Sequence, residues 1–274
     1  MSLIIVATDF SAVGENAVSY ACGLATAQNA ELIIVHTFIM PIMFSDIAMP
    51  NNLINEEQNE AEAQIKQVVK EVTDTCPNIV VKGKVVYGDV MDALDEYTKQ
   101  NINPWLVVIG NNNANDTISF DSTLLETFKN SKYPVLAIPS SATFKPVKKI
   151  CFAFDNKYAG SDVALLQLRD LKQQLHAELH VLYAAADVPN RDNIADIDAT
   201  TKEILAPASP QYHFRYDTNI ENAIKTFAEE NNIDWLVVMP RKHSFVESIF
   251  HKSHTKAMAH SANIPIVALH ENLQ

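Results

Sequence analysis

Ser253 stands among side chains that could hold an anion. Arg241, Lys242, His243, Lys252 and His254 crowd the same stretch, where Glu247 is the one acid between Arg241 and His260. A hydroxyl at a helix start, backed by cations, suits a phosphate, a sulfate or the phosphate part of a nucleotide, because charge-assisted hydrogen bonds and the helix dipole act together. A second, poorer candidate pairs Gly110 with Ser122, among Asn111, Asn112, Asn113 and Asp121. Asp9 and Asp155 each close a short apolar run. A carboxylate there could receive a ligand's donors, or simply turn the chain and cap the next helix.

Other constellations lead elsewhere. Glu247, His251 and His254 would share one helical face, yet no cluster of further ligands accompanies them, and no metal site is expected. His36 reads as a satisfied core or rim histidine. Met40, Pro41, Met43, Phe44 and Met49 form an apolar stretch whose commonest fate is packing on its own domain. The chain has no Gly-x-Ser-x-Gly elbow, no Walker loop and no His-Glu-x-x-His, so no catalytic residues are assigned. Three cysteines, Cys22, Cys76 and Cys151, fit neither a disulfide framework nor a thiolate metal site and read as small buried hydrophobes.

The elements that must position these residues occur twice. Trp105-Leu106-Val107-Val108-Ile109 is echoed by Trp235-Leu236-Val237-Val238-Met239, and Pro134 to Ile138 by Pro265 to Leu269. Leu3 to Asp9 answers to Lys149 to Asp155, and Ala30 to Val35 to Ala177 to Leu182. Four blocks in the same order mean that a whole domain was duplicated. Short β-branched runs alternate with amphipathic stretches such as Asn16 to Ala27 and Asn55 to Thr73. The order βαβαβαβαβ implies a doubly wound parallel sheet with helices on both faces. Domains are expected over 1–142 and 147–274, joined by the linker Pro139 to Pro146.

Composition limits the partners. The net charge is -12, and residues 1–146 carry 8 Lys+Arg against 17 Asp+Glu, leaving 13 against 16 for the rest. That balance opposes general affinity for nucleic acid. No apolar run reaches the roughly 20 residues of a membrane span, and the opening residues lack an export-type segment, so a cytoplasmic setting is expected.

Val6-Ala7-Thr8-Asp9-Phe10-Ser11, Val107-Val108-Ile109-Gly110 and the unit from Ser122 through Pro134 to Ile138 resemble the universal stress protein family, here as a tandem. The resemblance implies two five-stranded α/β sheets of strand order 3-2-1-4-5, binding of ATP or AMP, and an Asp that faces the adenosine. ATP-binding members carry Gly-x2-Gly-x9-Gly-Ser/Thr after the fourth strand. It also implies pairing through the fifth strands, so that Val135 to Ile138 and Ile266 to Leu269 should meet about a pseudo-twofold axis, an internal dimer open to further pairing of whole chains.

Both copies depart from that motif. In the first, Asn113 and Asp121 replace the second and third glycines, and only Gly110 and Ser122 remain. A carboxylate about 5 Å from a phosphate costs about 3 kcal/mol at an effective dielectric of about 20, or about two decades of affinity. In the second, Pro240, His243 and Lys252 replace the glycines, and Ser253 keeps the hydroxyl. Arg241, Lys242, His243, Lys252 and His254 could then replace backbone recognition with side-chain recognition. The expectation is a stress-response binding or regulatory module with altered nucleotide or anion binding in its second domain. The alternatives are a hydrolase of nucleotides or phosphate compounds, and a partner-binding protein with no small ligand.

Overall fold

A computed structural model describes residues 2–38, 51–112, 122–154, 162–185, 199–239 and 264–270. The chain divides into two compact units, residues 1–110 with 143–145, and residues 111–142 with 146–274.

In the first unit, β1 (Leu3–Ala7) is the central strand. It pairs in parallel with β2 (Glu31–Phe38) on one side and β4 (Leu106–Asn111) on the other, while β3 (Val81–Tyr87) pairs with β2. The order is β3-β2-β1-β4. Ile4, Val6, Leu32, Ile34 and Leu106 to Val108 are fully buried, the signature of strands covered on both faces. Helix α1 (Ala12–Gln28) starts earlier than its apolar spacing suggests because Ser11 caps it, and ends where Asn29 adopts the left-handed conformation. Helix α2 is Asn51–Thr75, and α3 (Val90–Lys99) opens on a reciprocal capping box between Asp89 and Asp92.

The second unit holds β5 (Val135–Pro139), β6 (Lys149–Phe154), β7 (Glu178–Ala185), β8 (Gln211–Tyr216), β9 (Trp235–Val238) and β10 (Ile266–Ala268). Its helices are α4 (Ser122–Asn130), α5 (Asp162–Leu175), α6 (Ala199–Leu205) and α7 (Ile220–Asn231). The repeated copy shows the full order β8-β7-β6-β9-β10, the 3-2-1-4-5 arrangement. Strand β5 belongs to this unit and runs antiparallel to β10, with Ile266 opposite Ala137 and Ala268 opposite Val135. The terminal strands thus meet as the resemblance implies, and each covers an edge of the other.

One expectation fails. Cys22 on α1 and Cys76 at the end of α2 are joined as a disulfide, with Cα atoms 6.4 Å apart, and only Cys151 is a free, buried thiol. All three are buried as expected, but counting and spacing could not show that two successive helices on one sheet face bring residues 54 apart into bonding range. Burial pushes the Cys151 thiol far up, which leaves it an inert core group. A loop of 54 residues closed by a disulfide stabilises the fold by up to about 4 kcal/mol in the chain-entropy account. Reduction, or Cys76→Ser, is therefore expected to lower the urea-unfolding free energy of the first unit by about 2 to 4 kcal/mol. An unchanged midpoint with and without reductant would show that the bond carries no stability.

Candidate functional site

The candidate site of the first unit lies at the carboxyl ends of β1 and β4, where the strand order reverses and such sheets receive ligands. Ladder pairing continues one residue past β1, with Thr8 N donating to Val35 O at 2.9 Å. The chain then turns sharply. Phe10 takes a positive φ of 60°, its amide donating to Thr8 Oγ1 at 3.1 Å.

Asp9 is the hub of this turn. Its Oδ1 receives the Ser11 amide at 3.0 Å and the Ser11 hydroxyl at 2.6 Å, while Ser11 Oγ accepts from Gly14 N at 3.2 Å. The carboxylate thereby orients the cap of α1. Burial alone would raise the Asp9 carboxyl, but the Ser11 hydroxyl and amide, its own amide and nearby His36 outweigh burial and hold it below the usual carboxylate range. Asp9 stays ionised at neutral pH and offers acceptors, which suits a ligand's hydroxyl or amino groups and repels a phosphate.

Two glycines close the turn. A Cβ on Gly14 would lie 2.6 Å from Asp9 Oδ1 and 2.8 Å from Thr8 Oγ1. On Gly110, at the end of β4, it would lie 2.8 Å from both Val13 Cγ1 and Val13 O. Gly110 therefore makes room for the first turn of α1, a packing role that the ligand motif alone does not reveal. His36 at the end of β2 donates from Nδ1 to Thr8 O at 2.8 Å and stacks on Phe10 with ring centroids 4.3 Å apart. Its ring is fixed, as a rim histidine's should be.

Of the sequence-derived site residues, Asp9 and Gly110 come together here, and Ser122 opens α4. Asp155, Arg241, Lys242, His243, Lys252, Ser253 and His254 lie outside the described residues, as do Asn113, Asp121, the Met40 to Met49 stretch and the Glu247, His251, His254 set. Ser11, Gly14 and Phe10 were missed. The spacing Asp9-x-Ser11-x-x-Gly14 carried the signal, since a Ser three residues before an amide in a helix's first turn is an N-cap. Among the described residues no group of three His, Cys, Asp or Glu could hold a metal, and no helix is long and apolar enough to cross a membrane.

A parallel sheet whose order reverses beside its first strand, with helices between the strands, defines a doubly wound α/β protein. The sequence model of the Universal stress protein family matches residues 1–139 and 146–270, so the chain belongs to that family, in tandem form. It is similar in fold, over 98% of both chains, to a universal stress protein from Archaeoglobus fulgidus DSM 4304, with 18% identity and a TM-score of 0.71. A functionally unknown protein from Pseudomonas aeruginosa PAO1 is similar over 98% of this chain and 92% of its own, with 13% identity and a TM-score of 0.51. No curated protein matches the chain.

The hub makes a direct prediction. Asp9→Ala removes the acceptor that orients Ser11 and should destabilise the first unit by about 1 kcal/mol at pH 7. Because the carboxyl lies low in the folded state, its contribution is present above about pH 4 and fades as pH falls through the folded value. Urea unfolding of wild type and variant should therefore differ at pH 7 and converge as pH falls below the unfolded carboxylate value of about 4; equal stability at pH 7 would remove Asp9 from the hub.

Proposed function

We propose that the chain is a binding or regulatory member of its family rather than a turnover enzyme, and that anion binding falls to its second copy. The observation that carries this reading is the charge difference between the two phosphate loops, Asn111 to Asn113 with Asp121 in the first against the cations around Ser253 in the second. The first copy holds an ionised carboxylate at its switch point, already engaged with Ser11, on a half of the chain rich in acids. Phosphate is unwelcome there. Arg241, Lys242, His243, Lys252 and His254 around Ser253 supply the opposite field, strong enough to offset Asp155. Ser253 would donate to the anion, the cations would hold it, and Asp155 would meet the hydroxyl-bearing part of a nucleotide such as ATP or AMP.

Calorimetric titration of ATP and of inorganic phosphate tests the reading. Wild type should bind one equivalent, Lys252→Ala with Ser253→Ala should weaken binding at least tenfold, and Asp121→Gly should open a second, weaker site. Protonation of His243 and His254, near pH 6.5 in unperturbed imidazole, should tighten binding several-fold as pH falls from about 7.5 to about 6. Unchanged binding in the double variant, or a first-copy site with Asp121 intact, would contradict the assignment. Steady release of phosphate from ATP with added metal would favour the hydrolase, and no binding at all the partner-only protein.

The cytoplasmic setting belongs to the same proposal. Alkylation of thiols in intact cells followed by peptide mapping should find Cys22 and Cys76 at least partly reduced; a fully oxidised pair would point to an oxidising compartment.

A further inference from the structure

His180 and His213 form a pair that neither the fold nor the nucleotide-type site uses. They sit on neighbouring strands of the second unit and on one face of the sheet, since His180 lies opposite Gln211 and His213 is two residues further along β8. His180 Nδ1 and His213 Nε2 are 3.0 Å apart. One ring N–H fills that gap and the other ring nitrogen accepts it. His180 is buried, and His213 is half-buried beneath Phe227 of α7, whose ring centroid is 4.7 Å away.

The charges facing the pair come from every element packed around it. Lys149 on β6 and Arg215 on β8 are cationic. Glu178 on β7 approaches His180 Nε2 at 3.6 Å, close enough to attract a charged ring but too long for a hydrogen bond. Glu230 on α7 is already committed to Arg215, which also lies over the Phe227 ring. The pair thus faces Glu178, Lys149 and the Arg215–Glu230 ion pair. That field also argues against a metal ion in the gap.

We propose that the His180–His213 pair is an acid-operated latch for the outer edge of the second unit. In the neutral pair, one side-chain hydrogen bond adds to the backbone ladder between β7 and β8 under α7. When both rings are protonated, two N–H donors on two cations face each other across the same 3.0 Å gap with no acceptor between them. The contact then repels. Strand β8 has β7 as its strand neighbour in this unit, and α7 packs on both, so these are the elements that loosen.

The titration of the rings agrees with this geometry. Burial, then Lys149, lowers His180 despite Glu178, and burial, His180 and Arg215 lower His213. Above about pH 6.5, the unfolded value, both states are neutral and the latch is closed. As pH falls from there through the lower folded values, the unfolded chain binds protons that the native pair refuses, and stability is lost.

Urea unfolding of the full chain between pH 8 and pH 5 tests the latch, with Trp235 reporting the second unit in a Trp105→Phe background. Wild type should be at least as stable as His213→Gln at pH 8 and less stable at pH 5. The ratio of their folding constants should change about tenfold or more across that window, the expected effect of at least one excess proton. Parallel profiles would overturn the proposal. If His213→Gln does not fold, NMR titration of the wild-type imidazoles replaces it. Two rings titrating below the exposed His176, with interdependent curves, would support the latch; two independent rings titrating at or above His176 would overturn it.

Discussion

A parallel strand covered on both faces leaves little place for a polar side chain except near its ends, and that constraint organises both units. Leu106 to Val108 on β4 and Trp235, Val237 and Val238 on β9 are almost wholly buried. Chemistry is therefore displaced to the turns beyond the strands, where chain direction and helix starts decide what a residue can touch. Asp9 shows the consequence. It lies two residues past β1, and one carboxylate oxygen both sets the cap of α1 and stays charged at the mouth of the switch point. Structure and electrostatics are thus fixed by the same hydrogen bonds.

Duplication turns this constraint into a comparison. Both copies inherit the same strands, because any change in a doubly buried strand disturbs packing on two faces at once. The turns are free to diverge. The first copy drifted toward asparagines and acids around Gly110, and the second toward cations and histidines around Ser253. Cys22 and Cys76 have no counterpart in the second copy, whose free cysteine, Cys151, sits inside β6. The His180–His213 contact is likewise a property of one copy, since the matching positions on β2 and β3 carry no histidine pair. The two units thus share an architecture while their ionisable groups differ.

What was legible beforehand follows from the length over which each signal is written. Strand blocks such as Leu3 to Thr8 and Trp105 to Ile109 repeat their apolar character over five or more residues, and their order dictates the sheet. Contacts that depend on three dimensions were not legible. The Cys22–Cys76 bond requires the relative placement of α1 and α2, and the histidine pair requires the register of β7 against β8. The packing role of Gly110 against Val13 needed the approach of α1 to β4. Helix starts were intermediate: Ser11 moved the beginning of α1 four residues ahead of its first clear apolar turn because a cap acts through one hydroxyl rather than through periodicity.

The central claim is that duplication left one anion site per chain, and counting bound anions tests it most directly. Native mass spectrometry of the intact chain, equilibrated with saturating ATP or with inorganic phosphate, should show a single bound equivalent. Two equivalents of equal occupancy would contradict the account, because they would require the first copy to hold phosphate despite Asp121 and without the cations of the second.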